Sequence, residues 1–208
     1  MAEASPAIVT AIDGDIAIVR FNKPAERNPL SVSTLRDLES TLSDLLPRPD
    51  IRTLIFTGTD DVFASGANIR ELARLDSSSA LQFSQLGQRI FQTIADAQPL
   101  TIAAINGYCM GGALDLALAC NIRVASTTAV FAHPGARLGI ITGWGGTQRL
   151  PALIGRARAL ELFATARRIQ SAEALSIGLV TCINDPVLDC AVAASRRAVP
   201  SKISTPTV

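Results

Sequence analysis

Short β-prone runs that end in turn residues, each followed by a stretch of helical spacing, constrain this chain more than any other feature. Residues 53–57 (TLIFT), 101–105 (TIAAI) and 122–125 (IRVA) are continuous rather than alternating runs. That pattern fits strands buried on both faces, as in a parallel sheet. Helix-period segments lie between them, so the chain reads as successive right-handed βαβ crossovers and its class as α/β. At 208 residues, with 48% hydrophobic and 18% charged side chains, it can bury one sizeable core. A single domain over residues 1–199 is expected, with no internal repeat and no interdomain linker.

The rest of the chain fills in this plan. Apolar runs at residues 8–11 and 16–21 flank Asp13-Gly14, a dipeptide suited to a hairpin turn. Leu35, Leu38, Leu42, Leu45 and Leu46 recur at helical spacing behind Ser31 and Ser33 as possible N-caps, and Pro47 and Pro49 end the run. Further helices are expected at about residues 81–95, 112–119, 157–166, 171–177 and 186–199, and a strand at 130–132. Residues 138–146 read as a Gly-rich irregular stretch. The tail from 200 to 208 has no periodicity and is expected to be loose.

Charge and cysteine usage remove several function classes. Nineteen basic and 18 acidic side chains give a net charge of +1, without a basic cluster that would recruit nucleic acid. No apolar stretch reaches the roughly 18 residues needed to span a bilayer, and the N-terminus lacks a basic region followed by an apolar one. A soluble, cytoplasmic protein without a membrane partner is expected. Cys109, Cys120, Cys182 and Cys190 form no CxxC pair, and His133 is the single histidine, so no metal site is expected.

Two turns place glycines where a strand should end and a helix begin: Ala64-Ser65-Gly66-Ala67-Asn68-Ile69 and Asn106-Gly107-Tyr108-Cys109-Met110-Gly111-Gly112. Ligands bind at that edge of open parallel sheets. Glycine admits close backbone approach, and a helix N-terminus offers unpaired N–H groups to negative charge. Two such amides from separate turns could form an oxyanion hole. Taken alone, both turns also fit plain strand-to-helix connections.

Longer blocks carry a resemblance. FASGANIREL (residues 63–72), IAAINGYCMGGALDLALACNIRVAS (102–126) and GGTQRLPALIG (145–155) resemble, in order and spacing, three signature blocks of the crotonase superfamily, the enoyl-CoA hydratase/isomerase family. FNKPAERNPLS (21–31) is similar to the family's N-terminal block, whose loop contacts the coenzyme A nucleotide. The resemblance covers residues 8 to about 180. It implies a crotonase-like ββα spiral, the fold shared with Clp-type proteases. Family members usually continue through further C-terminal helices, so a shortened C-terminal helical region is expected here, weakening the homotrimer or hexamer that the family implies.

The same resemblance implies an acyl-CoA substrate whose thioester oxygen is held by the backbone N–H groups of Ala67 and Gly112. Coenzyme A would arrive as part of the substrate, with no separate cofactor. Asn68, Ile69 and Arg70 fall in the block that contacts it, although Asn68 stands where Asp is common. The family's hydratases activate water with two glutamates; the matching positions here hold Asp115 and Gly135. Asp retracts its carboxylate by one C–C bond, about 1.5 Å, and Gly removes the group entirely. Asp115 is therefore expected to be the surviving acid/base, in a hydratase-like lyase with altered catalytic groups. An isomerase, a thioester hydrolase or a non-catalytic acyl-CoA binder are the alternatives.

His133, two residues before the emptied position, could substitute as a base, since its ordinary pKa suits proton transfer near neutrality; a structural role is the other option. Cys109 and His133 also lie near the nucleophile and base positions of the Clp-type proteases, which leaves a Cys-His hydrolase as a further alternative. Trp144 and Tyr108, the only Trp and Tyr, sit in loops beside the expected site and either shape an acyl pocket or pack under the loops. Arg149 belongs to the third block.

Overall fold

The computed structural model describes residues 6–198, so the expectation of a loose tail at 200–208 lies outside the described residues. Strands β1 (Ile8–Asp13) and β2 (Ile16–Phe21) form the expected hairpin, registered from Ile8 opposite Phe21 to Asp13 opposite Ile16. The turn residues are thus Gly14 and Asp15, one step later than expected, and Gly14 takes the positive φ of 60°. After β3 (Pro29–Leu30) comes helix α1 (Val32–Leu45). Of the two candidate caps it is Ser31 that serves, its Oγ accepting from the Thr34 N–H at 3.1 Å. Leu35, Leu38, Leu42 and Leu45 turn inward as their spacing requires.

The middle of the chain repeats a ββα unit. Strand β4 (Thr53–Thr57) is followed by the short β5 (Val62–Ala64) and β6 (Gly66–Ala67), then α2 (Ile69–Leu72) and α3 (Ser77–Ala95). Next come β7 (Leu100–Ile105), β8 (Tyr108–Met110) and α4 (Gly112–Ala119), then β9 (Ile122–Ala125) and β10 (Val130–Ala132). A 3-10 helix (Pro134–Leu138) leads through a loop to α5 (Gly146–Ile154) and α6 (Arg156–Thr165). The chain ends with β11 (Ile169–Gln170), α7 (Ser171–Ser176), β12 (Cys182–Ile183) and α8 (Val187–Ala198).

In each unit the longer strand joins one sheet and the shorter strand another. The first sheet has the order β1-β2-β4-β7-β9-β12 and is parallel from β2 onward. The second has the order β11-β10-β8-β5, with β5, β8 and β10 parallel. Strands β3 and β6 pair separately. One face of the six-stranded sheet contributes to the main core, which includes Phe21, Phe56, Phe63, Phe91 and Phe131. The other face, Ile16, Ile55, Ile102 and Val124, is covered by Val187, Cys190 and Ala191 of α8. Cover on both faces is the physical reason the strands read as continuous apolar runs.

Three features depart from the sequence expectation. Helix α3 starts at Ser77, before Leu81, because Asp76 and Ser79 form a reciprocal capping box ahead of an exposed first turn. Helix α5 was not expected: Gly145, Gly146 and Pro151 read as breakers, yet Gly145 serves as N-cap at φ 99° and Pro151 sits within the helix. Strands β5, β6 and β8 are too short to show a period. Arg123 is buried with no carboxylate partner; its guanidinium instead donates to the carbonyls of Cys120 and Leu179 at 2.7 and 3.0 Å, closing the C-terminal end of α4. All four cysteines are free, and among the described residues no helix is long and apolar enough to cross a membrane.

Candidate active site

The parallel strands β5, β8 and β10 all end at one place. Ser65 follows β5, Gly111 follows β8 and His133 follows β10, and all three line a single cavity of about 560 Å³. This is the C-terminal edge at which parallel sheets present ligand sites, and the volume suits a small-molecule pocket. Apolar side chains dominate the wall, and Ile69, Leu138, Ile140, Ile141 and Leu160 on it remain solvent-exposed. Among the described residues, His133 is the one ionisable side chain on that wall.

Ala67 and Gly112 both line the cavity. Gly112 is the first residue of α4, so its N–H has no acceptor within the helix. Gly111 before it takes φ 54°, and its own N–H is held by the Ala132 carbonyl at 2.8 Å, which ties the end of β8 to β10. The loop bearing Ala67 is pressed against the same turn. A Cβ on Gly66 would lie 2.5 Å from the Met110 carbonyl oxygen and 3.0 Å from the Gly112 nitrogen, so only glycine, here at φ 86°, permits the approach.

Gly112 also has a packing role. A Cβ there would enter the Trp144 ring, and so would one on Gly87 of α3. Trp144 therefore occupies a slot cut by two glycines and is flanked by Phe83 and Phe91, with ring centroids 5.0 and 5.5 Å away. It lines the cavity, whereas Tyr108 does not; the Arg27 guanidinium stacks 4.7 Å over the Tyr108 ring instead. Arg149 donates to the Trp144 carbonyl at 3.2 Å and to Gln92 at 3.0 Å. Ile69 lines the cavity but Asn68 and Arg70 do not, and the Asn68 side chain is committed to capping α2 through the Arg70 N–H.

The Asp115 carboxylate is fully buried and is not on the cavity wall; Thr142 and His133, which contact it, are. The Thr142 hydroxyl donates to Oδ2, and the nearby Trp144 backbone amide favours the charged carboxylate. Gly146 leaves room for Oδ1, which a Cβ at that position would strike. His133 Nε2 lies 3.3 Å from Oδ1, but the two are not aligned as a hydrogen bond, and neither atom has another partner among the described residues. Burial pushes Asp115 up to about 7, against the opposing effects of Thr142, the Trp144 amide and Arg149. Burial pushes His133 down to about 4. At neutral pH the imidazole is therefore uncharged, and the contact is not a full ion pair.

The emptied position is closed as well as vacant. A Cβ on Gly135 would lie 2.6 Å from the Ile140 carbonyl oxygen, and the Ile140 N–H donates back to the Gly135 carbonyl at 3.0 Å. Cys109 is fully buried, off the cavity wall, and its thiol is held well above its ordinary pKa by burial. A nucleophilic thiolate needs the opposite environment.

Comparison with known proteins decides the family. The enoyl-CoA hydratase/isomerase family profile matches residues 11–204. The chain belongs to that family. A short-chain-enoyl-CoA hydratase of Clostridium acetobutylicum is 34% identical over 180 residues, which are 86% of this chain and 69% of the relative. A crotonyl-CoA hydratase of Syntrophomonas wolfei is 37% identical over 180 residues, with the same coverage of 86% and 69%. Among solved structures, Pseudomonas aeruginosa DspI superposes with a TM-score of 0.89 at 31% identity, covering 97% of this chain and 84% of that one. The enoyl-CoA hydratase of Bacillus anthracis superposes at 0.88, with 31% identity and coverage of 92% and 76%. The fold is thus the crotonase-like spiral, and the chain is an enzyme of the enoyl-CoA hydratase/isomerase family.

Within the enoyl-CoA hydratase/isomerase fold, two residues of this site escaped sequence reasoning. Thr142 and Gly146 position the Asp115 carboxylate, and both lie in the stretch that read as irregular. The only sequence signal was their place immediately before and within the third signature block.

Proposed function

We propose that the chain binds an acyl-CoA thioester in this cavity and stabilises an enolate-like oxyanion through the backbone N–H groups of Ala67 and Gly112. One observation carries the reading: two loops distant in sequence abut through Gly66 at the cavity edge, with Ala67 and Gly112 on the same wall. Charge develops on the thioester oxygen as it enolises, and each preorganised donor lowers the barrier by roughly 2.7–4 kcal/mol. The apolar wall takes the acyl chain. Ile69, with the Asn68 and Arg70 backbone beside it, lies where the coenzyme A moiety would pass. The anion stabilisation uses main-chain groups alone and needs no metal or separate cofactor. A cytoplasmic homotrimer or hexamer, the family's usual assembly, is part of the same proposal.

The leading reaction is hydratase-like: addition of water to an enoyl thioester or its reversal, by acid/base groups unlike the family's two glutamates. Isomerisation is the second reading. It is favoured by the wall carrying one ionisable side chain, since a single group can carry one proton along the acyl chain. Incubation with a panel of acyl- and enoyl-CoA thioesters, followed by mass spectrometry and ultraviolet absorbance, separates them. Hydration adds the mass of water and abolishes the enoyl absorbance, isomerisation moves the double bond at constant mass, and thioester hydrolysis releases free thiol. Absence of both turnover and binding across the panel would sink the proposal.

A further inference from the structure

The expected acid/base, Asp115, is not among the residues that line the cavity, while His133, the one ionisable side chain among the described residues on its wall, has Nε2 3.3 Å from the Asp115 carboxylate. The two atoms without partners in this region face each other across 3.3 Å. A buried polar atom left unpaired costs roughly 1–3 kcal/mol. A small reorientation of the imidazole would satisfy both at once, provided that one proton lies between them. Oδ2 is already taken by the Thr142 hydroxyl, which leaves Oδ1 for the imidazole. Phe163 packs against the other side of the ring, centroids 5.0 Å apart, and Pro134 follows directly in the chain.

The geometry points to His133 as the proton-transfer group of this site, with Asp115 as the positioning residue behind it, the two holding a single proton in common. The assignment rests on the enolate-forming role proposed for Ala67 and Gly112. In the forward step a neutral His133, its Nε2–H directed at the Asp115 carboxylate, accepts the α-proton of the thioester on Nδ1. The electrons of the broken C–H bond form the enolate C=C, and the negative charge passes to the thioester oxygen facing the two amides. The proton on the imidazolium exchanges with solvent before a proton is returned to carbon. Written backward, the same step protonates an enolate.

The burial effects agree with this division. With one proton, held on the carboxyl or on the imidazole, the pair is an acid; without it, the pair is a base. Asp115, at about 7, fixes the pH at which that proton leaves. Among the described residues two other titratable or charged groups lie beside the pair. Arg149 of α5 favours the carboxylate, and Cys109 of β8 is held as neutral thiol by burial.

Deuterium uptake at the α-carbon of a saturated thioester such as octanoyl-CoA, followed in D2O by mass spectrometry, tests the assignment without knowledge of the natural reaction. The wild type should catalyse exchange at a rate that rises with pH through about 7. His133→Gln should lose about 100-fold or more, the usual range for a general base, with acyl-CoA binding retained. Asp115→Asn should exchange more slowly and lose the inflection near 7, because His133 alone is too weakly basic to titrate there. A purely structural Asp115 would lower the rate without moving the profile. Folding of each variant is checked by its thermal melt, and His133→Asn serves if the Gln variant unfolds. Exchange by His133 variants at the wild-type rate overturns the assignment and leaves the enolate site standing. No exchange by the wild type on any thioester overturns the enolate site, and this assignment with it.

Discussion

Removing one member of the Asp115–His133 pair should expose a pH dependence of stability that the intact pair hides. Asp115 is raised from 3.8 to about 7 on folding. Its contribution is thus fully present below 3.8 and is lost as pH rises through about 7. His133 is lowered from 6.5 to about 4. Its contribution is present above 6.5 and is lost as pH falls through about 4. Between those limits the folded pair holds one proton, on Asp115, and the unfolded chain also holds one, on His133. The two slopes then cancel. In Asp115→Asn only the histidine slope survives, so stability should rise from pH 4 to 6.5 by on the order of 3 kcal/mol. In His133→Gln only the aspartate slope survives, and stability should fall over the same window by a similar amount, on the order of 3 kcal/mol. Both groups are buried, so solvent screening does not reduce these figures much. Urea titrations at several pH values, followed by the fluorescence of the single Trp144, measure them. Subtracting the wild-type curve removes the other titrating groups. Three parallel curves would refute the reasoning.

Two further substitutions test the packing around the site. Gly112→Ala should destabilise by about 1–3 kcal/mol, because the new methyl enters the Trp144 ring; Trp144→Phe should relieve most of that added cost, as a double-mutant cycle by circular dichroism would show. Gly135→Glu, which restores the family's carboxylate, should lower stability by about 1–3 kcal/mol against the Ile140 carbonyl without accelerating enoyl-CoA hydration. A stable variant with rapid hydration would mean that the 135–140 loop is not closed as described.

The sheet-forming strands β2, β4, β7 and β9 were legible because burial on both faces leaves three or four consecutive apolar residues in most of them. Of the second sheet only β10 was read, at 130–132; β5 and β8 hold three residues each and no period fits so few. Helix α5 hid behind its own cap, as the Gly145-Gly146 pair and Pro151 are breakers in most contexts. At the site, Ala67 and Gly112 could be read from the glycine turns and the family-like blocks, and His133 from its place two residues before Gly135. The apolar run Ala117 to Ala119 favours burial of Asp115, but the partners of its carboxylate could not be read, because Thr142 and Gly146 arrive from a loop about 30 residues downstream. Periodicity reports faces of elements; it does not report which loop folds over a carboxylate.

The two amides face their most direct test in a crystal structure with a bound, unreactive acyl-CoA thioester analogue. The thioester oxygen should sit 2.7–3.1 Å from the backbone nitrogens of both Ala67 and Gly112, the range of a working oxyanion site. An oxygen that contacts neither nitrogen, or that faces solvent while the acyl chain fills the cavity, would contradict the enolate chemistry.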